Sequence, residues 1–188
     1  PKRHYFSDDE QSRIFNSIAV AREQMPRSSV AFNAITLLFF TGCRPSEVLK
    51  LRWEDIDMSY GVALLHNTKT GEGRLILAQV AVDFLQSIAP SEPDGWVFPG
   101  AVEGKRLKTL TKPWKRVCEV ANLPNACMKD VRHTVGTYVA SEGGLYSAQV
   151  ILRHSNPKMT ERYAHPFEST VRRDLENAMK RIDANRIK

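Results

Sequence analysis

Apolar residues recur at helical spacing along most of the chain, and this periodicity predicts the larger elements. Ser7-Asp8-Asp9-Glu10 has the spacing of a capping box, and Ile14, Phe15, Ile18 and Met25 follow at helical intervals, which predicts a helix from about Asp8 to Glu23. Ser29 to Thr41 is apolar nearly all round, the pattern of a central buried helix, and Gly42 ends it. Pro45 suits the first position of a short helix, Pro45 to Leu51, with Arg44 at an entrance expected to favour anions.

From Trp53 to Ala78 the pattern changes. Gly61 to Leu65 and Arg74 to Leu77 read as strands, and the turn formers between them, Thr68-Lys69-Thr70-Gly71-Glu72-Gly73, predict a small antiparallel sheet with Lys69 near a hairpin tip. Helical spacing resumes over Val80 to Ile88, Lys112 to Ala121, Met128 to Ser141 and Ser147 to Leu152, with Gly143-Gly144 as a C-cap between the last two. The loop from Pro90 to Gly104 is expected to be anchored by Trp96-Val97-Phe98, and Trp53, Trp96 and Trp114 are assigned to the core. Asn156-Pro157 opens a short helix that should hold Tyr163 and stop near Pro166. Phe167, Val171, Leu175, Met179 and Ile182 then line one face of a terminal amphipathic helix, residues 167–188, with Arg172, Arg173, Lys180 and Arg181 elsewhere around it.

Composition narrows the class of protein. A chain of 188 residues that is 42% hydrophobic is large enough for one globular domain with its own core. The net charge of +6 suits an anionic partner, though charge alone is weak evidence for one. Cys43, Cys118 and Cys127 are an odd number without CxxC spacing, so neither a disulfide framework nor a zinc site is expected, and a reducing cytoplasm is the expected compartment. Val30 to Phe40 is too short to span a bilayer, so no membrane partner is expected. The five histidines show no HExxH pattern and no carboxylate cluster suggests two metals, so neither metal nor cofactor is expected.

Three segments carry the chemistry. They are Thr41-Gly42-Cys43-Arg44-Pro45-Ser46-Glu47-Val48-Leu49, then Lys129-Asp130-Val131-Arg132-His133-Thr134, then Leu152-Arg153-His154-Ser155 leading to Thr160-Glu161-Arg162-Tyr163-Ala164-His165. In this order and spacing they resemble the tyrosine recombinase, or phage integrase, family over essentially the whole chain. The resemblance implies an α+β fold, mainly helical, with a small three-stranded antiparallel sheet. It implies that residues 1–188 are a catalytic domain, and that an upstream DNA-clamping domain is absent from this chain. The start at Pro1 in place of methionine agrees with that expectation.

Carried over residue by residue, the resemblance makes Arg44 and Arg132 the active-site arginines, Lys69 the hairpin lysine, His154 the residue of the His/Trp position and Tyr163 the nucleophile. Glu47 matches the acidic residue that steadies Arg44. It also implies double-stranded DNA as partner, a homotetramer on paired sites, and a terminal helix that docks on a neighbouring subunit or else packs on its own domain. The physical logic agrees, because transesterification at a phosphodiester gathers negative charge on the phosphoryl oxygens, and guanidinium groups meet it with a planar fork of donors. A lysine amine, with a reference pKa of about 10.4, is a suitable proton donor to a leaving 5′ oxygen.

Two positions depart from the family pattern. Lys129 stands where histidine is usual, three residues before Arg132, and His133 is a second candidate base although the resemblance gives it a structural role. Leu152-Arg153-His154 replaces the common Leu-Gly-His, and Arg153 reads equally as a phosphate contact or as a solvent-facing side chain. The activity implied is site-specific recombination through a covalent 3′-phosphotyrosine link. The alternatives are relaxation of the type IB topoisomerase kind and a catalytically inactive DNA-binding regulator.

Overall fold

The computed structural model describes residues 5–68, 71–153 and 164–186. Helix α1, Asp8–Gln24, begins with the predicted capping box: Ser7 Oγ accepts from the Glu10 amide and the Glu10 carboxylate accepts from the Ser7 amide. Helix α2, Ser29–Thr41, is the axis of the core, with Phe32, Ile35, Leu37, Phe39 and Phe40 fully buried. Each such side chain contributes about 1.5–3 kcal/mol by leaving water. Phe15 lies 4.9 Å from Phe39 and Phe84 lies 5.8 Å edge-on to Phe40, so α1 and α4, Gln79–Ile88, pack aromatic rings onto α2 from two sides. Helix α5, Thr111–Val120, covers α1 and α2.

Gly42 ends α2 in the left-handed conformation, φ +64°, and a Cβ there would come within 2.8 Å of Val135. The glycine therefore does two things: it turns the chain and it lets the next long helix approach. The turn leads into α3, Pro45–Val48, which is shorter than the expected run to Leu51. A helix of four residues aligns too few peptide dipoles to attract an anion, so the expectation placed on its mouth fails and any such attraction must come from Arg44 itself.

The sheet has strand order β1-β2-β3, formed by Ile56–Asp57, Val62–Thr68 and Gly71–Ile76, all antiparallel. Val62 pairs with Ile76 and Leu65 with Gly73, and the register shifts before Thr68 pairs with Gly71. Both long strands thus run further than the sequence pattern predicts and the connection between them is shorter. Trp53 and Trp114 are buried as expected, but Trp96 is not in the core. Its indole donates to the Gly104 carbonyl at 3.1 Å and carries the Arg52 guanidinium 5.0 Å above the ring, while Val97 and Phe98 supply the burial.

Residues Met128–Ile151 form one helical run, α6, where two helices separated at Gly143-Gly144 were expected. A straight helix would place Leu152 about 30 Å from Arg132. Instead Arg132 hydrogen-bonds to the Leu152 carbonyl, and a Cβ on Gly136 would meet Leu152 Cδ1 at 2.7 Å. The axis therefore folds back between these residues, where Ser141, Gly143 and Gly144 supply the weak helix formers at which sharp bends occur. The expected C-cap at Gly143-Gly144 is not formed, since helical pairing continues through both glycines to Ile151.

Helix α7, Ala164–Arg186, starts before Pro166, which falls in the first turn where a missing amide removes no helical bond. Its apolar face, Val171, Leu175, Ala178, Met179 and Ile182, is buried against α6, α1, α4 and α2 of the same chain. Ser147 donates to Asp174 at 2.6 Å with both residues buried, tying the returning half of α6 to α7. Arg172, expected on the outer side, donates to the carbonyls of Tyr60 at 2.8 Å and Leu77 at 3.1 Å and so pins α7 to the sheet. No helix among the described residues is long and apolar enough to cross a membrane.

Gly42→Ala should fold less stably by about 3 kcal/mol, from left-handed backbone strain together with overpacking against Val135. Calorimetry should show the Tm falling by roughly 10 °C. An unchanged Tm would mean that α2 and α6 are not held at this distance.

Candidate active site

The end of α2 and the end of α6 meet, and four of the chemically expected or noted residues meet there with them. Arg44 follows the Gly42 turn and caps α3, with its side chain 43% exposed. Glu47, one helical turn on, is almost wholly buried, and its two oxygens are divided between partners. Oε1 accepts from Arg44 Nη1 at 2.9 Å, while Oε2 accepts from the Arg44 amide at 2.9 Å and from Arg153 Nη2 at 2.5 Å. Burial alone would raise the pKa of Glu47. The positive charges of Arg153 and Arg44, with the bonds from Arg44, outweigh it and hold the carboxyl below its ordinary value of 4.5.

Arg132 projects from the first half of α6 into the same junction. Nη1 donates to the Gly42 carbonyl at 2.8 Å and Nη2 to the Leu152 carbonyl, so its fork spans the ends of two helices. A guanidinium has five N–H donors, so these two bonds leave capacity for a phosphate. Burial, followed by repulsion from Arg44 and Arg153, pushes the pKa of Arg132 down to about 10, which leaves it charged at neutral pH. Three cations crowded around one carboxylate favour an added anion.

Arg153 does not face solvent freely but turns inward onto Glu47. Its side chain is 15% exposed, paired with Glu47, and 3.7 Å from Cys43 Sγ. Burial opposes the charged form, but the neighbouring sulfur and carboxylate raise its pKa above the ordinary value. This partnership was the part of the cluster missed by sequence reasoning. The visible signal was an arginine in a Leu-Arg-His segment where the family pattern has glycine.

Lys129 is exposed on the first turn of α6, three residues before Arg132, and His133 is half-buried beside Arg132 in the chain. Asp130 accepts from the Cys127 amide at 2.8 Å and caps this turn. Lys69, His154, Tyr163 and the short helix expected after Asn156-Pro157 lie outside the described residues. The strands on either side of Lys69 end at Thr68 and begin at Gly71, and α7 begins at Ala164, the residue after Tyr163. Among the described residues no group of three or more His, Cys, Asp or Glu side chains could hold a metal ion.

Residues 5–170 match the phage integrase family, and the chain belongs to that family. A shufflon-specific DNA recombinase of Escherichia coli is 31% identical over 128 residues, covering 66% of this chain and 32% of that protein. Tyrosine recombinase XerC of Staphylococcus saprophyticus is 28% identical over 191 residues, covering 93% of this chain and 61% of that protein. The fold is that of the XerH site-specific recombinase in a post-cleavage complex with palindromic difH substrate, with a TM-score of 0.62 at 18% identity, covering 92% of this chain and 52% of that one. The chain thus spans from about a third to about three fifths of the length of these curated relatives. The expected α+β fold, mainly helical with a three-stranded antiparallel sheet, is the one observed.

The depressed pKa of Glu47 sets a pH dependence. A carboxyl whose folded pKa lies below its ordinary value contributes stability that is fully present above about 4.5 and is lost as pH falls through the folded pKa. Glu47→Gln should cost about 3 kcal/mol at neutral pH, because it leaves buried Arg153 without a counter-charge. The loss should shrink as pH falls below 4.5, with the Tm curves of variant and wild type converging in acid. Parallel curves from pH 7 to pH 3 would contradict the assignment.

Proposed function

We propose that the protein is a site-specific DNA recombinase of the integrase kind. It cuts and rejoins double-stranded DNA by metal-independent transesterification, through a 3′-phosphotyrosine link at Tyr163. The observation that carries this reading is the cluster of Arg44 and Arg132 about Glu47 at one helix junction, in a chain that belongs to the phage integrase family. The net charge of +6 and the XerH complex with its difH substrate support double-stranded DNA as the partner.

In this mechanism the Tyr163 phenol gives up its proton to solvent water as its oxygen attacks the scissile phosphorus and the bond to the 5′ oxygen breaks. Arg44 and Arg132 meet the charge that builds on the non-bridging oxygens, and His154 joins them. Lys69 gives the leaving 5′ oxygen its proton. Lys129 replaces the family's usual histidine, and its amine adds to the positive charge facing the phosphate. The phosphotyrosine keeps the ester bond energy, so a DNA hydroxyl can reverse the step and rejoin strands without ATP.

Exchange between two sites calls for four protomers on paired DNA, acting in the cytoplasm. Exchange of α7 between neighbours in that tetramer would move to another subunit the apolar face that this chain buries on itself.

The test is a nicked suicide substrate that traps the cleaved strand. The wild-type protein should form a protein–DNA adduct that survives denaturation, and Tyr163→Phe should form none. Equal adduct from both proteins removes Tyr163 as nucleophile, and absence of adduct from the wild type favours a DNA-binding regulator. Recombinant product from two sites separates recombination from relaxation alone.

A further inference from the structure

Arg153 occupies a backbone position that resists it. Its φ is +47°, in the left-handed region that side-chain-bearing residues rarely adopt and glycine adopts freely. The guanidinium is nonetheless drawn inward, with a side-chain exposure of 15%, onto the Glu47 oxygen that also accepts from the Arg44 amide. An outlier of this kind at a functional site points to the work of the side chain.

That work is visible in how the Glu47 carboxylate is divided. Its Oε1 holds Arg44 Nη1, and its Oε2 is held between Arg153 and the Arg44 backbone. A carboxylate's terminal torsion is broad, and the two bonds from Arg44 tie Glu47 only to a residue of its own turn. Arg153 adds a charged donor to Oε2 from outside that turn, and this fixes Oε1, and so the Arg44 guanidinium, relative to the end of α6. Arg153 also joins two elements, since it follows Leu152, whose carbonyl takes Arg132, while Glu47 belongs to α3 beyond the Gly42 turn, whose carbonyl takes the other arm of Arg132. Both arginines assigned to the phosphate are therefore referred to one frame.

We infer that Arg153 is a positioning residue for phosphate recognition, which acts through Glu47 to fix Arg44 beside Arg132 and does not itself touch the phosphate. The inference rests on the recombinase reading above. It also accounts for an arginine at a site where glycine would meet the backbone demand, because glycine leaves Glu47 Oε2 without its side-chain partner.

The test is a double-mutant cycle on the whole chain with Arg153→Gly and Glu47→Gln, and Arg153→Lys as the charge-conserving variant. Each protein is measured for single-turnover adduct formation on the suicide substrate at saturating DNA, and for binding of inorganic phosphate by titration. Arg153→Gly should stay folded, since glycine suits the backbone, and should lose on the order of tenfold in both adduct rate and phosphate affinity, the coupling expected within one hydrogen-bond network. Its affinity for DNA should change by less than about threefold, because the many other phosphate contacts remain. Arg153→Lys should recover most of the rate, which a purely structural defect would not allow. In the Glu47→Gln background Arg153→Gly should change the rate by less than about threefold, as the relay is already broken.

Equal losses in the two backgrounds would overturn the inference in favour of direct phosphate contact, and wild-type behaviour of Arg153→Gly would overturn it outright. A wild type that forms no adduct counts against the recombinase reading alone, and the phosphate titration across the same five proteins then decides the role of Arg153.

Discussion

The bridge from Arg132 to the carbonyls of Gly42 and Leu152 is the contact on which the site's geometry depends. Both carbonyls lie at helix ends, where backbone oxygens lack intrahelical partners and must find a donor. A single guanidinium satisfies both, and this is possible because α6 folds back on itself and because Gly42 and Gly136 let Val135 and Leu152 approach closely. The same group that closes the fold is thus left with donors pointing into the junction. Fold stability and charge placement are therefore properties of one side chain, and a change at Arg132 alters both.

Glu47 complements this arrangement from the other side. Its buried carboxylate would be unfavourable alone, and it is ionised because Arg153 and Arg44 stand against it. The core behind it is built mainly from α2, whose phenylalanines are buried and whose last residue, Thr41, braces the Gly42 turn by accepting from the Cys43 amide. Burial supplies rigidity and the polar cluster supplies direction, and the two meet within the few residues from Thr41 to Glu47.

Much of this was legible in the sequence. The capping box at Ser7, the apolar run from Ser29, the closing Gly42 and the Arg44/Glu47 spacing are local signals, fixed by residues within a turn of one another, and the observed elements follow them. What escaped the sequence was tertiary in origin. The helical pairing through Gly143-Gly144 persists because Ser147, Ala148 and Ile151 are buried on the rest of the domain, which offsets the poor helix propensity of two glycines. Trp96 reads as core by residue type, yet it lies half-buried because its indole found Gly104 and Arg52 at the loop surface. The pairing of Arg153 with Glu47 was not legible, since its partner lies 106 residues away in the chain. Arg172 likewise reads as an outer-face charge until the turn at Gly61 is brought beneath it.

The anchoring of α7 has a mechanical consequence for the helix itself. The Ser147–Asp174 bond holds it to α6, and Arg172 holds it to the carbonyls of Tyr60 and Leu77 beside the sheet, two attachments less than one helical turn apart. The helix is thus clamped at one level of its axis, and any movement of α7 away from the domain breaks a buried hydrogen bond and uncovers the apolar face from Val171 to Ile182 in the same step.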